Sequence, residues 1–113
     1  MAALENRVIV CEPGKLPRTS YMDPEDIRKY LGDYETARHG LEYIVFCKRQ
    51  QDELPLNESL AGDGLRGNCV VAGVDVDGYR GLTRKEVFYL RLELERQFVE
   101  VKNGNTTNEG YLQ

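Results

Sequence analysis

The segment Arg7-Val8-Ile9-Val10-Cys11-Glu12 constrains this chain most. It is β-branched and apolar on both faces of the pleat, so it reads as a buried strand. Pro13-Gly14 ends it, and Lys15-Leu16-Pro17 continues as a loop. Two other runs are of the same kind. Leu41 to Arg49 places Tyr43, Val45 and Cys47 on one face and Ile44 and Phe46 on the other. Arg66 to Val76 carries Cys69, Val70, Val71 and Val74. Tyr34 to Arg38 reads as a strand that the His39-Gly40 turn joins to Leu41–Arg49 as a hairpin. Asp77-Gly78 turns the chain, and Tyr79 to Leu82 reads as a short return strand.

Two stretches carry helix signals. Asp23 can accept bonds from orphan amides, Pro24 suits a first helical position, and Glu25 and Asp26 fill the first turn. Ile27, Tyr30 and Leu31 make the apolar stripe, and Gly32 stops the helix. Thr83-Arg84-Lys85-Glu86 is a capping box, followed by Val87, Leu90, Leu94 and Phe98 at helical spacing. That helix is expected to end near Glu100. Gln50 to Gly64 is a long polar connection with one helical turn near Asn57 to Leu60. From Lys102 on, Asn, Gly and Thr dominate, and nothing apolar recurs until Tyr111. This reads as a disordered tail.

The expectation is one domain over residues 1–100 and a tail over 101–113. Its class is α+β, in the order β-α-β-β-β-(β)-α. A small, largely antiparallel sheet is expected to carry both helices on one face.

Composition narrows the functional classes. A chain of 113 residues can bury roughly two thirds of its unfolded surface without metal or disulfide staples. No apolar run approaches the roughly 18 residues that a membrane span needs, and Met1 to Arg7 does not read as a signal peptide. Cys11, Cys47 and Cys69 each sit in an apolar run, an odd count that points to reduced, buried thiols and a cytoplasmic setting. No pair of them has close ligand spacing and there is one histidine, so neither a metal nor another cofactor is expected. The net charge is −4 and the basic residues are spread out, which argues against strong nucleic-acid binding.

A few polar residues are candidates for a site. Glu12-Pro13-Gly14-Lys15 leaves a strand end where Lys15 and nearby amides could hold an anion. A tight turn with a solvated lysine is the simpler reading. His39 could act as a base with Glu35 near it, and an exposed turn histidine is the simpler reading there. Asn57, after Pro55, is expected first to bond its own loop backbone and second to meet a ligand. Tyr34 could join Glu12, Lys15 and Asn57 around one pocket. Asp75-Val76-Asp77-Gly78 with Glu86 looks like a calcium loop but lacks the loop glycine and the fifth-position oxygen ligand. Seven tyrosines, including Tyr21, Tyr30, Tyr43, Tyr79, Tyr89 and Tyr111, are many for this length and suit an interface.

Five segments in order resemble an uncharacterised domain family of phages, plasmids and Gram-positive gut bacteria, catalogued as a domain of unknown function. They are Val8 to Pro17, Leu31-Gly32-Asp33-Tyr34-Glu35, Leu54-Pro55-Leu56-Asn57, Arg66 to Val71, and Leu82-Thr83. The resemblance spans residues 7 to 98, with Glu58 standing where a basic residue is expected. It implies a mobile-element setting and no particular activity. With no catalytic constellation in view, the expected function is non-enzymatic. The chain would bind and modulate a host or defence protein, in the manner of an anti-CRISPR or anti-restriction inhibitor. The alternative is a binder that sequesters a nucleotide-type small ligand. An edge strand near Tyr79 could also pair with its copy in a homodimer.

Overall fold

The computed structural model describes residues 6–76 and 78–104. In chain order it has β1 (Arg7–Cys11), β2 (Arg18–Tyr21), α1 (Pro24–Leu31), β3 (Tyr34–His39) and β4 (Tyr43–Lys48). A 3-10 segment (Glu58–Asp63), β5 (Cys69–Asp75), β6 (Gly78–Arg80) and α2 (Arg84–Lys102) follow. The strands make one antiparallel sheet in the order β2-β1-β5-β4-β3, with β6 paired to the far end of β5. Gly73 pairs with Tyr43 of β4 and with Arg80 of β6, so β6 extends the β1 side of β5. The α+β class and the small antiparallel sheet are those expected from the sequence.

The two helices do not share a face, contrary to expectation. Val8, Val10, Phe46, Val70 and Ala72 pack with Ile27 and Leu31 of α1 on one side of the sheet. Ile9, Cys11, Val45, Cys47, Cys69 and Val71 pack with Leu90 and Leu94 of α2, and with Leu60 and Leu65 of the long connection, on the other. The reason lies in the strands themselves. β1 is buried at all five residues and β5 at its first five. A strand apolar on both faces needs cover on both, and an α-β-α stack supplies it.

β2 was not expected. Arg18-Thr19-Ser20-Tyr21 has no apolar alternation and is half exposed. It forms because the outer amides and carbonyls of β1 need partners, and β2 supplies a four-residue antiparallel register from Arg7↔Tyr21 to Val10↔Arg18. α2 runs to Lys102, two residues past its expected end, and is capped at Asn103. The rest of the expected tail, from residue 105 on, lies outside the described residues, as does Asp77 of the calcium-like loop.

Both helix starts follow the local chemistry. Asp23 and Asp26 cap each other's amides at the head of α1, at 2.8 and 3.1 Å. At the head of α2 the Thr83 hydroxyl accepts from the Glu86 amide at 3.1 Å, and Glu86 accepts from the Thr83 amide at 2.9 Å. Glu86 does more than cap. Its two oxygens receive the Arg80 guanidinium at 2.8 Å each, and that guanidinium lies over Gly73, where a Cβ would meet it at 2.5 Å. Glu86 therefore ties the head of α2 to the β5–β6 hairpin.

The Arg80 hydrogen bonds, reinforced by the Thr83 amide, hold the Glu86 carboxyl below its usual range. A lowered folded-state value means that ionised Glu86 contributes stability in full above the ordinary glutamate range. That contribution is lost as the pH falls through the lowered value. Glu86→Gln is expected to cost about 1–3 kcal/mol at neutral pH. Urea unfolding at neutral and strongly acidic pH checks this, and the difference from wild type should shrink in acid. A difference that persisted in acid would show that Glu86 acts by shape rather than charge.

Candidate functional site

The strand-end turn at Glu12–Lys15 is closed by the Lys15 amide, which donates to the Glu12 carbonyl at 3.1 Å. Pro13 and Gly14, with a φ of 79°, give it the geometry of a turn that requires glycine third. The Glu12 carboxylate accepts from the Tyr30 hydroxyl of α1 and pairs with Arg18 at 3.1 Å and Lys15 at 3.7 Å. The Tyr30 hydrogen bond, followed by Arg18 and Lys15, holds Glu12 below its usual range against the cost of its partial burial. Burial first, and the Glu12 carboxylate second, push the Tyr30 hydroxyl up. The Gly14 amide donates to Glu58 Oε1 at 2.9 Å. An intramolecular carboxylate thus meets the amide, and another meets the cation, that an external anion would need.

Asn57 is fully buried. Its Nδ2 donates to the Cys11 carbonyl at 2.9 Å and to the Gly67 carbonyl at 2.7 Å, and its side chain makes no cap bond to the 3-10 segment that follows. Its side-chain partners are thus the end of β1 and the turn before β5, rather than its own loop backbone. Cys11, Cys69 and Cys47 stand opposite one another on β1, β5 and β4, a row of free buried thiols beneath that loop. Burial pushes Cys11 up to about 12 and raises Cys69 and Cys47 as well. Thiols held protonated in this way are poor nucleophiles at neutral pH.

Tyr34, Glu35 and His39 share β3 but not a site. Tyr34 packs edge-on to Phe46, with ring centroids 5.4 Å apart, and lies under the Arg28 guanidinium on the α1 side. Glu35 pairs with Arg49 at 3.9 Å and stands opposite Cys47. It stands four positions before His39, about 13 Å along the strand. His39 instead meets Asp63 at 2.7 Å through Nδ1 and Glu93 of α2 at 3.5 Å through Nε2. These three line a cleft of about 200 Å³ with Ser59, Leu60, Gly62, Leu94 and Gln97. Ser59 is itself buried. Asp63 and Glu93 were not foreseen as partners of His39, because each comes from a different element and no spacing in the sequence links them. Among the described residues no group of three or more His, Cys, Asp or Glu is arranged to hold a metal ion.

The outer face of α2 differs from the rest of the surface. Leu90, Leu94 and Phe98 point into the core. Phe88 is 60% exposed, Tyr89 59%, Leu92 52% and Val99 47%. Phe88, Leu92 and Val99 follow one another at four and seven residues, so they form a single stripe, well round the helix from the buried one. Phe88 and Tyr89 pack edge to face with centroids 5.0 Å apart. A shallow cleft of about 320 Å³ runs beside them, lined by Arg84, Val87, Arg91 and Glu95. Arg91 bonds Glu95 at 3.0 Å and reaches Thr19 of β2 at 3.4 Å. The signal was present in the sequence, since α2 carries two separate apolar stripes. Of the tyrosines, Tyr89 and Tyr21 are exposed, whereas Tyr30, Tyr34, Tyr43 and Tyr79 pack against the core clusters, and Tyr111 lies outside the described residues.

No model of a known protein family matches the chain, and neither a curated protein nor a solved structure does. No helix among the described residues is long and apolar enough to cross a membrane.

Proposed function

We propose that this chain is a non-enzymatic accessory protein that works by binding another protein through the outer face of α2. The observation that carries this reading is the exposed stripe of Phe88, Leu92 and Val99, flanked by Tyr89, on a rigid helix. Large apolar and aromatic side chains gathered on one exposed face favour protein contact, and the charged residues beside them supply a polar rim. In the mobile-element setting implied by the family resemblance, the partner is a host or defence protein. The small-ligand alternative has less support, because Glu12, Lys15, Tyr34 and Asn57 are engaged with other parts of the same chain.

The test is an affinity capture from bacterial host lysate with the tagged protein and its Leu92→Glu variant. Leu92 is exposed, so the variant should fold, and circular dichroism checks that. One stoichiometric protein retained by the wild type and lost by the variant is the expected result. Equal recovery by both, or none by either, overturns the reading.

A further inference from the structure

We propose that the cleft between β3, the 3-10 segment and α2 binds a guanidinium group, carried by a free guanidino compound or by an arginine side chain. The cleft shares no lining residue with the hollow beside the Phe88–Leu92–Val99 stripe, so it stands or falls apart from the reading of that stripe.

His39 holds two carboxylates that it does not satisfy together. Asp63 meets Nδ1 at 2.7 Å and Glu93 faces Nε2 at 3.5 Å, each through one oxygen. A neutral imidazole has one N–H, and the shorter contact places it at Nδ1. Glu93 then faces a ring lone pair. Even a doubly protonated ring leaves each carboxylate its second oxygen and leaves one negative charge in excess.

Nothing else on the chain supplies the missing charge. An adjoining wider cleft of about 500 Å³ shares these three residues and adds Glu42 and Tyr43. No Lys or Arg lines either cleft. Arg38 is turned to the Leu41 carbonyl at 3.1 Å, and Arg80 is held by Glu86. Arg96 lines a separate hollow with Glu100. Burial, and then the Glu86 and Glu42 carboxylates, raise the Tyr43 hydroxyl, a negative field that Arg80 only partly offsets.

Acidic side chains alone make no site, and here the rest of the lining is also built of acceptors. Ser59 lines the cleft, is buried, and its hydroxyl finds no hydrogen-bond partner among the described residues. Gln97 turns its Oε1 toward Gly62, where a Cβ would lie 3.3 Å from it. Leu60 and Leu94 add apolar wall to a space of about 200 Å³. A guanidinium on an aliphatic stem matches this lining. It is planar and positive, it carries five N–H donors, and its methylenes suit the leucines. An ammonium offers fewer donors in no fixed plane, and an anion is repelled.

Titration of the isotope-labelled protein with arginine amide, followed by amide NMR shifts, tests this. Saturable shifts at Gly62, Asp63, Glu93 and Gln97 are expected, with a dissociation constant of roughly a millimolar. Citrulline amide has the same shape without the charge and should bind about tenfold more weakly. Lysine amide has the charge without the fork and should also bind more weakly. Glu93→Gln should weaken arginine amide about tenfold. Glu93 is half exposed, so the variant should fold, and its own spectrum checks that. No saturable shift overturns the site, as does an unchanged constant in Glu93→Gln. Equal binding of lysine amide or citrulline amide overturns it too, since the cleft would then attract any cation or any molecule of that shape. An end-blocked tripeptide with arginine between two glycines separates the two sources. Tighter binding than arginine amide marks an arginine on a protein, and equal or weaker binding marks a free guanidino compound.

Discussion

Leu94→Ala should destabilise the fold by about 2–5 kcal/mol, whereas Leu92→Ala, two residues away on the same helix, should change stability by about 0.5 kcal/mol or less. Leu94 is almost fully buried, in the cluster that joins α2 to Ile9, Val45 and Val71 of the sheet. Shortening it removes apolar contact from a close-packed layer and leaves a cavity that the sheet cannot relax to fill. Leu92 points away from that layer and is half exposed. Denaturant unfolding followed by circular dichroism separates the two. Equal losses at both positions would mean that α2 is seated differently, with its outer stripe inside. The pair also guards the functional tests, because a change at Leu92 that left stability untouched could alter binding only through the surface.

Asn57→Ala is the second large effect, a loss of about 2–5 kcal/mol. The side chain donates to two carbonyls, those of Cys11 and Gly67, and its removal leaves both without that donor beneath the long connection. Each buried group left unsatisfied costs about 1–3 kcal/mol, against a total stability of roughly 5–15 kcal/mol for a domain of ordinary size. Asn57→Asp should be worse near neutral pH. It replaces the donor with an ionised acceptor aimed at two carbonyl oxygens, in a place where burial disfavours charge. The Asp variant should recover part of its loss as the pH falls and the carboxyl protonates. Urea midpoints of the three proteins at neutral and acid pH would show the order. A loss near zero for Asn57→Ala would mean that water replaces the amide and that the loop is not sealed.

The helix heads were legible before the fold because their chemistry is local. Asp23 with Asp26, and Thr83 with Glu86, lie three residues apart, and each box forms between near neighbours on the chain. The central strands were legible because their apolar runs have nowhere to go but inside. The positive φ of Gly14 and Gly32 marks the turn and the helix stop anticipated at those positions.

The tertiary structure decided the rest, and in each case the deciding interaction joins distant parts of the chain. β2 is a strand only because β1 offers it a free edge. The helices lie on opposite faces because β1 and β5 are apolar on both, a demand visible in each strand but answered only when the layers assemble. Asn57 reaches a carbonyl 46 residues away, and His39 meets Asp63 24 residues away and Glu93 on α2. The inner stripe of α2 reads as core from the sequence and the outer stripe does not stand out, since periodicity shows that residues share a face but not what covers it. By itself the sequence determined which segments are helix and which are buried strand, because propensity, capping and apolar runs act between neighbours. Which face each helix covers, and which apolar stripe is left to a partner, depended on packing between segments far apart in the chain.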